Sequence, residues 1–277
     1  MAVRTEVAMS TLVTIRAVRP GAVAEESIGR AFGWFHEIES RCTRFDPSSE
    51  LMRLTAQTGV AVPVSAILFE AVRFALLAAE ASGGAFDPTA ARGVAGGGWR
   101  DIELDEARTA ITLHRPLTLD LGAVAKGLAV DLAARELAPL EDFVVDAGGD
   151  LYLGGRNERG DPWRVGIRHP RREGELIAFL RASNQAVCTS GDYERLAPQA
   201  GDGEHHIVDP RSGVSPHALA SATVLASGAM LADALATAAF VLGPEEGIAL
   251  LERMGVEGLV VTPALQRHET RGLRRVA

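Results

Sequence analysis

Helical and strand-like segments follow one another irregularly along this chain, and this order constrains its fold more than any other feature. The spacing of Ile28, Phe32 and Phe35 predicts an amphipathic helix over roughly residues 22–42. Short apolar runs such as Phe143–Val145 predict buried strands instead. Because the segments lack the regular βαβ alternation of a parallel sheet, the sequence predicts an α+β fold.

The remaining elements follow from the same periodicities and from cap residues. Ser65 is expected to cap a second helix that ends at Gly83 and Gly84. Further helices are predicted over roughly residues 124–137 and 229–241, and another begins at Pro244. Further strands are predicted over roughly residues 7–18, 101–104, 109–113, 118–120, 163–167, 176–181, 185–189, 219–226 and 258–262. No repeat or linker divides the chain, so residues 1–277 are predicted to form a single domain.

Composition and charge exclude several classes of protein. Hydrophobic residues make up 47% of the 277 residues and charged residues 23%, as in ordinary globular proteins. The formal net charge is −8 and no long basic run interrupts it, so nucleic acid is not an expected partner. The two cysteines, Cys42 and Cys188, are too few for a disulfide framework and fit a reducing compartment.

The N-terminal region and the apolar segments bear on the compartment. Residues 1–20 contain neither an unbroken apolar core nor a small-residue cleavage site of a secretory signal. The chain has no uncharged apolar stretch of the ~18 residues that a membrane span requires. We therefore expect a cytoplasmic protein with no membrane span.

One predicted helix carries a carboxylate and a hydroxyl on the same face. Asp233 and Thr237 lie one helical turn apart in an otherwise Ala- and Leu-rich segment. Two hard oxygen ligands on one face suit Mg²⁺, which keeps other positions for water or substrate phosphates. The alternative is structural: Asp233 interacts with the helix dipole, and Thr237 packs its methyl group in the core.

Four other polar or glycine-rich segments also indicate a site, each with a structural alternative. Asp120 and Lys126 flank a predicted helix start, where a phosphate could bind or where Asp120 acts only as a cap. The Gly148-Gly149 pair indicates close backbone packing against either a ligand or a neighbouring element. Thr189-Ser190-Gly191 is a weak signal by itself. Of the adjacent residues His205 and His206, at most one is expected to enter a site, since neighbouring strand residues face opposite ways.

Taken together and in this order, the motifs resemble those of the ApbE family of flavin transferases over nearly the whole chain, from about Met9 to Thr262. The motifs are Phe86-Asp87-Pro88-Thr89, Asp120-Leu121-Gly122-(x)3-Lys126-Gly127, Asp146-Ala147-Gly148-Gly149, Thr189-Ser190-Gly191, His206-Ile207-Val208-Asp209-Pro210-(x)2-Gly213 and Ala232-Asp233-Ala234-(x)2-Thr237. The resemblance implies an α+β fold of two T-fold-like halves packed into one globular unit.

The resemblance also implies an activity, a cofactor and a partner. Such an enzyme is a Mg²⁺-dependent FAD:protein FMN transferase, which moves FMN from FAD to a Ser or Thr hydroxyl and releases AMP. Its acceptor is a flavoprotein with an Asp-x-Ala-Thr/Ser-like sequence. Three alternatives remain open: an FAD pyrophosphatase that yields free FMN and AMP, a non-catalytic FAD-binding protein, and a structural or interaction domain without a cofactor.

By the same resemblance, roles can be assigned residue by residue. His206 and Asp233 are implied as catalytic residues, and Mg²⁺ would be held by Asp233, Thr237 and a backbone carbonyl near Ala123. The implied FAD contacts are Met9, Phe45, Ala85, Phe86, Asp87, Asp120, Lys126, His206 and Val208.

The chain also departs from the family pattern at four points. Phe45 stands where the family usually has a tyrosine, which keeps the stacking surface but removes the phenol. The segment between Thr89 and Trp99 is short, which could reshape access for the acceptor. Ala236 replaces a second acidic metal ligand of some members, and no lipobox cysteine is present, which favours a cytoplasmic acceptor.

Overall fold

An antiparallel sheet of eight strands organises the protein, as seen in a computed structural model that describes residues 1–90, 96–193 and 205–273. The strands of this sheet are β1 (Ala2–Ala8), β2 (Thr11–Ala17), β6 (Phe143–Ala147), β7 (Asp150–Gly154), β10 (Gln185–Gly191), β11 (Ser221–Ala226), β12 (Glu257–Val261) and β13 (Arg267–Glu269), and they lie side by side in this order. Every neighbouring pair is antiparallel.

Helices and two small sheets complete the fold. The helices are α1 (Ala22–Cys42), α2 (Glu50–Thr55), α3 (Ala66–Ala81), α4 (Gly122–Leu137), α5 (Ala229–Leu242) and α6 (Pro244–Arg253). One small sheet contains β3 (Ala61–Pro63), β4 (Ile102–Asp105) and β5 (Ala110–Leu113), and the other pairs β8 (Trp163–Arg168) with β9 (Leu176–Ala182). Among the described residues no helix is long and apolar enough to cross a membrane.

The large sheet consists of two similar halves. The first contains β1, β2, β6 and β7 with helices α1 and α4, and the second contains β10, β11, β12 and β13 with α5 and α6. In both halves two strands precede the pair of helices and two follow it. The predicted α+β class is therefore confirmed, and the internal arrangement agrees with the two halves that the resemblance implied.

Each face of the large sheet is covered by a separate apolar cluster. The helices cover one face, where Phe32, Phe35 and Phe240 are buried. The β8–β9 hairpin covers part of the other face, where Leu180 packs with Val187. Since apolar burial is the main favourable contribution to folding, this arrangement fixes α4 and α5 against the sheet.

The structure corrects the prediction at several elements. Residues 7–18 do not form one strand, because Met9 and Ser10 adopt left-handed backbone angles and turn the chain between β1 and β2. Residues 118–120 form no strand, since the Asp120 N–H donates to the Pro88 carbonyl (2.7 Å) instead of to a neighbouring strand. The short elements α2, β3, β7 and β13 were not predicted.

The helix ends follow the caps that the sequence predicted. The Ser65 hydroxyl accepts a hydrogen bond from Leu68 N (3.2 Å) at the start of α3, and that helix ends before Gly83 and Gly84. Ser49 caps the unpredicted α2 in the same way, through Met52 N (3.1 Å). These side chains satisfy backbone N–H groups that have no partner within the helix.

Candidate active site

Asp233 and Thr237 share one face of α5, as the sequence predicted. Asp233 is buried, with only 5% of its surface exposed, and Thr237 is half-buried. The Thr237 hydroxyl lies 3.1 Å from the hydroxyl of Ser190 on β10, within hydrogen-bonding distance. The Thr189-Ser190-Gly191 motif therefore places the Ser190 hydroxyl beside the predicted metal face. The sequence analysis had assigned no role to Ser190.

Two contacts with α4 fix the start of α5. The Asp131 carboxylate accepts hydrogen bonds from Ala229 N (2.6 Å) and Met230 N (3.0 Å). A Cβ atom on Gly127 would lie 2.5 Å from Met230 Cα, so only glycine allows the two helices to come this close. The position of Asp233, one turn further along α5, thus depends on α4.

Lys126 and Asp150 form a buried ion pair next to this face. Asp150 is the first residue of β7 and is only 1% exposed, and its carboxylate contacts the Lys126 ammonium group. Burial by itself would lower the pKa of Lys126, but the charges of Asp150 and Asp233 outweigh this effect and raise it. Lys126 is therefore a fixed positive charge, and sequence reasoning had missed its partner Asp150.

The Gly148-Gly149 pair forms a turn and allows a close contact between neighbouring elements. Both residues have positive φ angles, 65° and 98°, and they join β6 to β7. A Cβ atom on Gly148 would lie 2.2 Å from the Thr11 hydroxyl oxygen, so the neighbouring element explains this glycine. The turn also places Asp150 at the start of β7, where the carboxylate meets Lys126.

Both cysteines are buried, as the sequence allowed. Burial raises the pKa of Cys42 to about 12. Burial also raises the pKa of Cys188 well above its usual range, and the charges of Asp150 and Asp233 add to the shift. Cys188 donates from its thiol to the Ala229 carbonyl (3.6 Å), so both thiols act as protonated core groups.

A cavity of about 90 Å³ brings together predicted flavin contacts from three separate parts of the chain. Its lining includes Met9, Phe45, Asp120 and Lys126. The Met9 φ angle of 50° is unusual for a residue other than glycine, and such strained backbone is often found at functional sites. Lys126 lines this cavity, and its ammonium group also interacts with the charge of Asp233 on the predicted metal face of α5.

Phe45 presents its ring at the mouth of this cavity. The residue is 78% exposed, and the Arg44 guanidinium lies 4.5 Å from the centre of its ring. Arg44 also forms an ion pair with Asp120 (3.0 Å), whose other carboxylate oxygen accepts a hydrogen bond from Gly122 N (2.9 Å). Asp120 therefore binds the first backbone N–H of α4, although the N-cap residue is Leu121 and not Asp120.

The Ala85-Phe86-Asp87 segment is buried. One Asp87 carboxylate oxygen accepts hydrogen bonds from the Thr89 N–H and hydroxyl, both at 2.7 Å. The Thr89 hydroxyl oxygen in turn accepts from Gly98 N (2.6 Å). Asp87 thus organises its own turn, and its predicted contact with FAD stays a prediction. The predicted short segment after Thr89 lies partly outside the described residues, at 91–95.

His206 lies on an exposed loop, whereas its neighbour His205 is buried. The His205 ring packs edge-on against Phe240, one turn beyond Thr237, with 5.4 Å between ring centres. The expectation that at most one of the two histidines enters a site stays a prediction. The loop is not the strand that the sequence suggested, because Asp209 and Pro210 begin a tight turn that closes at Gly213. Val208, on the same loop, is half-buried.

One hydrogen bond joins this loop to the glycine-rich segment before Trp99, and another joins two of the motifs to each other. Gly96 N donates to the Pro210 carbonyl (2.9 Å), and the Asp120 N–H donates to the Pro88 carbonyl.

Ala123, whose carbonyl the resemblance assigned to the metal, is half-buried in the first turn of α4. No cluster of three or more His, Cys, Asp or Glu side chains suited to a metal occurs among the described residues, and the predicted ligand set contains only one such side chain.

Comparison with known proteins identifies the family. The model of the ApbE family matches residues 9–260. The chain belongs to the ApbE family. The resemblance inferred from the motifs is thereby confirmed, and it extends over nearly the whole sequence.

Individual relatives of this ApbE chain agree with that assignment. An FAD:protein FMN transferase of Treponema pallidum is 33% identical, over 94% of this chain and 84% of that protein. One from Rhodobacter capsulatus is 41% identical over 51% of this chain, but the match spans 27% of that protein. The ApbE protein of Thermotoga maritima superimposes with a TM-score of 0.88 at 25% identity, covering 98% of this chain and 97% of that one. The flavinyl transferase ApbE of Pseudomonas stutzeri gives 0.82 at 27%, covering 98% and 95%.

Proposed function

We propose that this chain is a Mg²⁺-dependent FAD:protein FMN transferase that uses a flavoprotein with an Asp-x-Ala-Thr/Ser-like sequence as acceptor. One observation supports this proposal most directly. The hard-oxygen face of Asp233 and Thr237 and the cavity of Met9 and Phe45 are connected through Lys126. Relatives named FAD:protein FMN transferase support the same activity. We also propose that the protein modifies its acceptor in the cytoplasm.

The residues of the metal face fit a hard cation. Asp233 contributes a buried carboxylate and Thr237 a hydroxyl, and the carbonyl of Ala123 is the third ligand that we assign. Proteins typically bind Mg²⁺ through a few oxygen ligands, and water or phosphate oxygens occupy the remaining positions. When bound, Mg²⁺ would neutralise charge on the FAD pyrophosphate and orient it.

The other side of Lys126 suits the flavin. Phe45 offers an exposed ring for stacking, and Met9 offers a polarisable side chain on a rigid turn. Lys126 lines this cavity and its positive charge interacts with Asp233, so we assign it to the negative pyrophosphate. Ala85, Phe86, Asp87, Asp120 and Val208 complete the set of FAD contacts that we assign, with the buried members acting through their backbone.

The transfer breaks the phosphoanhydride bond of FAD and forms a phosphoester bond to the acceptor. The acceptor hydroxyl oxygen bonds to the phosphorus of the FMN half, and the bond from that phosphorus to the bridging oxygen breaks. AMP leaves with that oxygen, and the hydroxyl proton is released. We assign His206 to orient the incoming hydroxyl or to take its proton, because its ring is exposed on a loop that His205 anchors next to α5.

Product analysis tests the proposal. Purified protein is incubated with FAD and increasing Mg²⁺, with and without an acceptor domain, and AMP and free FMN are measured by chromatography. We expect AMP release that requires both Mg²⁺ and the acceptor, without an equal amount of free FMN. Free FMN and AMP in equal amounts without an acceptor would identify a pyrophosphatase. FAD that stays intact with Mg²⁺ and acceptor would contradict both activities.

The Met9 turn provides a test of the flavin site. We expect Met9→Gly to weaken FAD binding about tenfold, since it removes a side chain from the cavity. Stability should change little, because the strain relieved at the positive φ offsets the contacts that the half-buried Met9 side chain makes with the core. FAD fluorescence quenching and thermal unfolding measure the two effects.

Ser10→Gly is the matched control for this variant. Ser10 lies in the same turn with a φ angle of 60° and also lines the cavity, but it contributes only a small, exposed polar side chain. We expect its FAD affinity to remain within about twofold of the unmodified protein. Equal losses in the two variants would show that the turn, rather than the Met9 side chain, determines binding.

A further inference from the structure

The Lys126–Asp150 pair is buried, although Lys126 also lines the cavity of Met9 and Phe45. Asp150 is 1% exposed, and only 17% of the Lys126 side chain is exposed. Buried charges are retained only when they are paired, because an isolated charge loses the solvation of water. Each member of this pair therefore depends on the other.

Lys126 has a second carboxylate near it. Gly127, the next residue, lets α4 touch α5 at Ala229 and Met230, and Asp233 follows one turn later on α5. The charges of Asp150 and Asp233 both act on the Lys126 ammonium group. The ammonium group contacts the carboxylate of Asp150, which lies at the start of β7.

We propose that Asp150 is a positioning residue for the metal face: it holds Lys126 and offsets its charge, so that this ammonium group does not compete with a divalent cation for the Asp233 carboxylate. This inference rests on the proposed function. Asp233 is the other carboxylate whose charge acts on this ammonium group, and without the charge on Asp150 it is left to attract Lys126. An ion pair between Lys126 and Asp233 would then compete with the cation for the same oxygen atoms.

Mn²⁺, a hard cation whose free form gives an electron paramagnetic resonance signal, tests this directly in the flavin-free protein. We expect Asp150→Asn to weaken Mn²⁺ binding about tenfold or more. The double variant Asp150→Asn/Lys126→Met removes both charges and leaves no ammonium group to capture Asp233. Its Mn²⁺ affinity should return to within about threefold of the unmodified protein.

Asp146→Asn is the matched control in the same hairpin. Asp146 accepts a hydrogen bond from Gly149 N (2.9 Å), which an asparagine oxygen can also accept, so its Mn²⁺ affinity should stay within about twofold. The proposal is overturned if Asp150→Asn leaves Mn²⁺ binding unchanged. It is equally overturned if the double variant binds as weakly as Asp150→Asn, because the loss would then be structural. Mn²⁺ binding that Asp233→Ala does not weaken would instead contradict the metal site and thus the proposed function.

Discussion

Asp233→Ala is expected to reduce Mg²⁺-dependent FMN transfer by about 10³-fold or more while the protein remains folded. The substitution removes the one carboxylate of the proposed metal face, and bound metal supplies several kcal/mol of charge stabilisation in reactions of this kind. The measurement is the rate of FMN attachment to the acceptor at several Mg²⁺ concentrations. Circular dichroism and thermal unfolding verify that α5 is still formed.

The neighbouring ligand offers a paired control. Thr237→Ser retains the hydroxyl and should keep transfer within about tenfold, whereas Thr237→Val matches the shape but loses the oxygen and should lose more. Thr237→Val also leaves Ser190 without the hydroxyl that lies 3.1 Å away. Full activity in Asp233→Ala, or equal activity in the two Thr237 variants, would contradict the assignment of α5 as the metal face.

Gly127→Ala is expected to lower the free energy of unfolding by about 3 kcal/mol, the largest effect that we expect from one added methyl group. The new Cβ atom would lie 2.5 Å from Met230 Cα and 2.7 Å from the Ala229 carbonyl carbon. Both are backbone atoms, which cannot move aside as a flexible side chain can. The helices α4 and α5 must therefore separate, and we expect Mn²⁺ binding to weaken as well. Urea unfolding measures the stability.

Gly33→Ala is the matched control, since Gly33 also lies inside a long helix but has no atom within 4 Å of the added Cβ position. Alanine has the higher helix propensity, so this variant should gain about 0.5–1 kcal/mol of stability. The two substitutions are chemically identical, and only the packing differs. A Gly127→Ala protein as stable as Gly33→Ala would show that the contact between α4 and α5 is not tight.

Much of the fold was predictable because long elements repeat their pattern many times. The apolar spacing in α1 extends over several turns, and the Ser65 cap marks the start of α3 without reference to any other part of the chain. The turn at Met9 and Ser10 was missed because neither residue is the Gly or Asn that normally marks such a turn. The short helix α2 contains too few residues to show a period.

The site was predictable only in part, for a related reason. Helical spacing placed Asp233 and Thr237 on one face, because that relation is local in sequence. Two contacts join segments that are distant in sequence: Lys126 with Asp150, and Thr237 with Ser190. No local sequence pattern predicts such contacts. Asp150 directly follows the Gly148-Gly149 pair, so the sequence indicated that this segment was of interest but not that Asp150 pairs with Lys126.

The intact mass of an acceptor domain, measured after incubation with this protein, FAD and Mg²⁺, tests the proposed function most directly. Two versions of the acceptor are compared, one with threonine and one with alanine in the Asp-x-Ala-Thr position. We predict that the threonine version gains the mass of one FMN less one water, that the alanine version gains nothing, and that EDTA prevents the gain. An acceptor of unchanged mass while FAD is converted to free FMN and AMP would contradict transfer.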